Sequence, residues 1–137
     1  MGAQHIQIGE VAERTGLSLR TIRYYEEMGL VVPDARSTGG FRLYTEADVA
    51  RLQLVKRMKP LDFTLEETRD LLEVRDALEA AEDEDVRDAL VARLQGFQEA
   101  AQARVAAVRS QLAIAEGFAE DLARELTRQR GGAGSQG

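Results

Sequence analysis

The chain holds no cysteine. Disulfides, thiolate metal ligands and cysteine nucleophiles are excluded together by that absence. Histidine is almost as scarce. The single one, His5, stands near the N-terminus with no acidic or hydroxyl neighbour in sequence, and reads as a tag-like or frayed position. There is no run of about eighteen apolar residues and no charged-then-apolar leader, so a cytoplasmic protein without a membrane segment is expected. Proline occurs only at positions 33 and 60, so both can serve as markers of where helices stop. Carboxylates do cluster, at Glu26/Glu27, Glu66/Glu67 and 83–85, but on expected caps, exposed faces and a hinge. No nucleophile–base set or metal-ligand group accompanies them, so the reading is not an enzyme, with no cofactor and no metal.

What is present is 137 residues with 44% apolar content, enough for one compact domain and an added element. The net charge of −6 hides a split. Residues 1–60 carry nine Lys/Arg against seven Asp/Glu (+2), and residues 61–137 carry nine against seventeen (−8). One end is therefore suited to a polyanion and the other to water or a protein partner.

Ile8, Val11, Ala12 and Thr15 recur at helical spacing, and Gly16 follows as a left-handed stop, which predicts a helix over 8–15. Ser18 is a suitable N-cap for a second helix through Leu19, Ile22, Tyr25 and Met28, ending at Gly29. Two helices joined by about three residues that include a glycine form a helix-turn-helix pattern. Pro33 forbids a longer helix. The turn cluster Ser37-Thr38-Gly39-Gly40, with arms at 34–36 and 41–44, predicts a β-hairpin wing. Thr45-Glu46-Ala47-Asp48 and Thr64-Leu65-Glu66-Glu67 are capping boxes that open a third and a fourth helix. The acidic run 79–85 reads as a polar hinge.

From about Val86 to Leu126 apolar residues fall at 90, 94, 97, 101, 105, 108, 112, 115, 119, 122 and 126. The steps alternate near four and three, with one stutter across 97, 101 and 105. A single narrow stripe on a rod needs a second helix to cover it, and the simplest source is another copy of the chain. The expected organisation is a DNA-binding domain over 6–80, a dimerisation helix over 85–128 and a flexible tail over 129–137. The fold class is mainly α, a winged helix-turn-helix followed by a long dimerisation helix.

In such an arrangement the start of the second helix enters the major groove. Arg20, Thr21, Arg23 and Tyr24 lie near that start and mostly away from the inner face formed by Leu19, Ile22 and part of Tyr25. Arginine there pairs bidentately with guanine or clamps phosphate, and tyrosine hydroxyls donate to phosphate. In the wing, Arg36, Arg42 and Tyr44, with the tip hydroxyls of Ser37 and Thr38, are candidate backbone contacts. Lys56, Arg57 and Lys59 form a basic cluster that reads equally well as a solvated face.

The runs Ile8-Gly9-Glu10-Val11-Ala12, Thr21-Ile22-Arg23-Tyr24-Tyr25-Glu26, Gly29-Leu30, Gly40-Phe41-Arg42-Leu43-Tyr44 and Phe63-Thr64-Leu65-Glu66-Glu67, in this order and spacing, resemble the MerR family of bacterial transcription regulators. The resemblance covers about residues 6–80, and the rod extends it to nearly the whole chain. It implies an antiparallel coiled-coil homodimer and DNA contacts from Arg20, Thr21, Arg23, Tyr24, Tyr25, Arg42 and Tyr44. It further implies binding to a pseudo-palindrome in double-stranded promoter DNA, which is bent and untwisted so that RNA polymerase, met only indirectly, engages both promoter elements. Metal- and redox-sensing members use cysteines at the rod, and drug-sensing members append a domain after it; this sequence has neither feature. Asp62 replaces the usual glycine before Phe63, which predicts a strained or altered turn. Two other readings compete. One is a small-molecule sensor with a site between the fourth helix and the rod at Leu71, Leu72, Leu78 and Phe97. The other is a coiled-coil adaptor.

Overall fold

The computed structural model describes residues 5–33, 35, 36 and 39–134. Short N-terminal elements come first: strand β1 (Ile6–Gln7), helix α1 (Ile8–Thr15) and helix α2 (Leu19–Glu27). Strands β2 (Ala35–Arg36) and β3 (Arg42–Tyr44) follow. Helices α3 (Glu46–Met58), α4 (Leu65–Ala80) and α5 (Glu84–Gly134) complete the chain, with a 3-10 turn at Lys59–Leu61. The chain divides into two compact units, one ending at Phe97 and one beginning at Gln98 within α5.

Local chemistry fixes the element ends. Gly16 closes α1 at φ 74°, a left-handed conformation in which its N–H reaches the Ala12 carbonyl. The Ser18 side chain accepts the Thr21 N–H at the start of α2. Both capping boxes form. Thr45 and Asp48 exchange side-chain and backbone bonds at 3.2 and 2.9 Å. Thr64 and Glu67 do the same at 3.0 and 2.9 Å.

The wing is the antiparallel pair β2–β3, with Ala35 opposite Leu43 and Arg36 opposite Arg42. β1 adds a third strand that the sequence pattern did not reveal, pairing Ile6 with Tyr44 and Gln7 with Leu43. Two residues are too few to show the alternation that marks a strand. The wing-tip residues Ser37 and Thr38 lie outside the described residues.

The core of the first unit gathers Ile6, Val11, Ile22, Tyr25, Leu30, Val31, Tyr44, Val49, Leu52, Val55 and Leu72. Every helix from α1 to α4 contributes to it, and α1 is set against both α2 and α3. Polar ties reinforce this. Arg14 on α1 makes a two-pronged contact with Glu46 on α3, at 2.8 and 2.6 Å. That pairing raises the arginine pKa and lowers the carboxylate's. Lys56 Nζ donates to the Thr15 carbonyl at 2.7 Å, placing a cation at the negative end of α1. Arg69 on α4 donates to the Met28 carbonyl at 2.7 Å, and Arg51 on α3 donates to the Leu30 carbonyl. The C-terminal end of α2 is therefore held by two guanidinium groups from elsewhere in the chain.

Several sequence expectations change. Leu19 is 40% exposed at the start of α2 rather than part of its inner face, which Ile22 and Tyr25 form. The break between α4 and α5 is confined to residues 81–83, narrower than the acidic run 79–85, since Glu79 and Ala80 complete α4. One expectation holds: Asp62 adopts φ 60° and ψ 30°, a left-handed backbone that suits glycine better, so the turn carries the mild strain the sequence predicts. The helix α5 continues to Gly134, past the expected tail boundary at 129, and residues 135–137 lie outside the described residues.

On α5 the stripe residues Leu94, Val105, Val108, Leu112, Leu122 and Leu126 are 37–56% exposed. Ile114 and Phe118 are exposed as well, at 72% and 65%, one turn apart and off that stripe. Among the described residues no helix is long and apolar enough to cross a membrane.

Candidate nucleic-acid interface

The physical requirement for groove entry is a rigid helix whose buried face leaves donors projecting outward. α2 meets it. Ile22 and Tyr25 are buried at 0% and 4% exposure, anchoring the helix. Positions 20, 23, 24 and 27 share the opposite face at about 100° per residue. Arg20, Arg23 and Tyr24 are exposed there, and Thr21 is half-buried at the edge. Thr21 is fixed by its neighbour: Ser18 Oγ donates to Thr21 Oγ1 at 2.8 Å, and the Thr21 N–H returns to Ser18 Oγ at 3.0 Å. The N-terminal end of α2 carries its positive dipole end beside the two arginines, with no acidic residue in the first turn.

The structure thus brings Arg20, Thr21, Arg23 and Tyr24 together on one surface, as the sequence predicted. It places Tyr25 and Tyr44 differently. Tyr44 is fully buried, and its hydroxyl donates to Glu26 Oε2 at 2.8 Å. Burial first, and the neighbouring Glu26 carboxylate second, push its phenol well above the usual range, so it stays a donor. Buried, with its hydroxyl already donated to Glu26, Tyr44 is not on the exposed surface where the sequence expectation put it. Tyr25 is a core residue whose ring packs against Tyr24, with centroids 5.9 Å apart, and lies 5.9 Å from the Lys59 ammonium. The short β3 strand places Arg42 and Tyr44 on one face, two residues apart. Buried Tyr44 therefore anchors the strand while half-buried Arg42 reaches toward the surface.

Arg42 Nε lies 2.6 Å from Glu26 Oε2, the same oxygen that Tyr44 binds. The Arg42 Nε–H is buried without an aligned hydrogen-bond acceptor, so charge rather than a well-formed bond holds it there. Glu26 raises the guanidinium pKa further, keeping it cationic at any working pH. Sequence reading missed Glu26 because its partners lie 16 and 18 positions away. The dipeptide Glu26-Glu27 resembled a plain solvated pair.

The basic cluster also separates. Lys56 is engaged with the end of α1, whereas Lys59 sits at the 3-10 turn beside α2. Lys59 borders a small open cavity of about 140 Å³ lined by Tyr24, Tyr25, Leu30, Val55, Phe63, Leu65 and Thr68. The candidate ligand quartet does not line that cavity. Leu72 is in the core at 1% exposure, and Leu71, Leu78 and Phe97 are half-buried.

Two family profiles match this chain. One, described as MerR HTH family regulatory protein, covers residues 6–74, and the other, described as MerR, DNA binding, covers residues 49–122. The chain belongs to the MerR family. As a member, it is 46% identical over 74 residues to the mercuric resistance operon regulatory protein of Bacillus cereus, covering 54% of this chain and 56% of that protein. It is 44% identical over 69 residues to the HTH-type transcriptional regulator ZntR of Escherichia coli, covering 50% of this chain and 49% of that one. The MerR-family chain thus spans about half the length of the curated relatives it matches. Among solved structures, HiNmlR, a MerR family regulator lacking the sensor domain and bound to promoter DNA, superposes with a TM-score of 0.63. That match covers 82% of this chain and 86% of the other at 20% identity, and it bears on the fold alone.

Proposed function

We propose that this chain is a sequence-specific transcription regulator that binds double-stranded promoter DNA as a homodimer joined along α5. Each protomer sets α2 into a major groove and the wing onto flanking phosphates. A pseudo-palindromic element is then bent and untwisted, which changes how RNA polymerase engages the promoter. The protein acts in the cytoplasm and has no catalytic role.

The observation that carries this reading is the outward face of α2. Two exposed guanidinium groups and a phenol share one outward face of a helix whose other face is locked in the core, with Arg20 in the first turn at its positive end. The exposed stripe on α5 supports the dimer, because it is the surface a second copy would cover. The ligand-sensor reading is less favoured, since Leu72, one of its four residues, is already packed in the core.

Arg23→Ala tests the reading. It removes an exposed side chain without touching the core, so circular dichroism should remain unchanged. A bidentate arginine–guanine pair contributes roughly 1–3 kcal/mol of discrimination, so affinity for the protected upstream element should fall about 10- to 100-fold. Footprinting upstream of its own gene locates that element, and fluorescence anisotropy measures the loss. Undiminished specific affinity would remove α2 from the interface.

A further inference from the structure

The recognition helix and the wing are separate stretches of chain that meet at one carboxylate oxygen. Glu26 Oε2, in the last turn of α2, accepts the Tyr44 hydroxyl at 2.8 Å and faces Arg42 Nε at 2.6 Å. Residues 42 and 44 point to the same side of β3, so one group engages both. The site is sheltered: the Glu26 side chain is 15% exposed and that of Arg42 is 30% exposed. A carboxylate near the C-terminal end of a helix opposes the helix dipole, and a cationic partner offsets that. Its neighbour Glu27 is exposed on the outward face and adds only a weaker, longer-range attraction to Arg42, after that of Glu26.

We propose that Glu26 is a positioning residue that fixes the wing arginine, Arg42, relative to α2, so that the head grips phosphate and reads bases in a single register. The inference rests on the DNA-reading function above and deepens it. The contact engages the Nε edge of the guanidinium. The planar group carries four further N–H donors, enough to hold Glu26 and meet a phosphate oxygen at once. What Glu26 supplies is therefore discrimination rather than attraction. Non-specific binding to a duplex is Coulombic and indifferent to where the wing cation sits. Specific binding requires that cation in one place while α2 is seated, and a side chain already held there loses less freedom on docking.

Glu26→Gln keeps the size and a hydrogen-bond acceptor for Tyr44 but removes the charge that holds Arg42. Affinities of the full chain are measured for an operator duplex selected from a randomised pool and for a scrambled duplex of equal length. The ratio of the two should fall about tenfold in the variant, with scrambled-duplex affinity unchanged or raised. A merely structural role predicts instead that both affinities fall in proportion, and that result overturns the proposal. In an Arg42→Ala background, Glu26→Gln should no longer change the ratio; an undiminished, additive loss also overturns it. If Glu26→Gln fails to fold, Tyr44→Phe loosens the same carboxylate by removing one hydroxyl. It should lower the ratio about threefold, and an unchanged ratio counts against Glu26. A wild-type chain that shows no preference between the duplexes sinks the DNA-reading function itself. A preference that survives Glu26→Gln sinks only this inference.

Discussion

Replacing Leu112 by alanine should weaken self-association about 30-fold, whereas replacing Ile114 should leave it within twofold. The two residues are close in sequence and both exposed, at 56% and 72%. They differ in direction, because two helical steps rotate a side chain by about 200°. Leu112 lies on the repeating stripe, and Ile114 lies on the other side of α5. Burying a leucine fully contributes about 1.5–3 kcal/mol, so covering the exposed half of Leu112 contributes about 1 kcal/mol. In a symmetric pair the change occurs twice, about 2 kcal/mol in all, which is close to 30-fold in the dissociation constant. Alanine is the better helix former, so the effect is not one of helix loss. Sedimentation equilibrium across the micromolar range reads the constant, and far-UV circular dichroism confirms helix content. Equal effects at both positions, or none at Leu112, would show that the stripe does not join the two copies.

Two further outcomes follow from the folded head. Arg14 lowers the pKa of Glu46, so the pair's contribution is present above the ordinary carboxylate value near 4.5 and is lost as pH falls through the lower folded value. Thermal melts of the wild type should therefore decline as the pH is lowered from 5 toward 3 more steeply than those of Glu46→Gln; parallel curves would show that the pair contributes nothing. Thr64→Ala removes the acceptor of the Glu67 N–H at the start of α4 and should cost about 1 kcal/mol in urea denaturation, with specific DNA contacts unaltered.

Much of the head was legible from local rules. The ends of α1, α2 and α3 follow from Gly16, Ser18 and the box at Thr45 and Asp48, all of which act within four residues of themselves. The outward face of α2 was legible for the same reason, since helical spacing alone places Arg20, Arg23 and Tyr24 together. What escaped was non-local. β1 becomes a strand only because β3 offers it an edge. Glu26 gains its partners by folding, as do Arg51 and Arg69, which hold the far end of α2. Tyr44 showed the polar tip that suits a phosphate, but periodicity cannot tell a buried hydroxyl with an internal acceptor from an exposed one.

Lys56 has a consequence for how the protein meets ionic strength. In the linear sequence it joins Arg57 and Lys59 as three equivalent cations. In the fold its ammonium is donated to the last carbonyl of α1, where it acts as an internal cap. An ammonium tied to that carbonyl keeps its charge but is not free to swing onto a phosphate. The salt sensitivity of the complex should therefore fall short of the number of basic residues in the head, at about 0.9 per phosphate neutralised. Lys56 thus uses its donor inside the head, on the carbonyl that ends α1, and only its neighbours Arg57 and Lys59 are left to meet an outside anion.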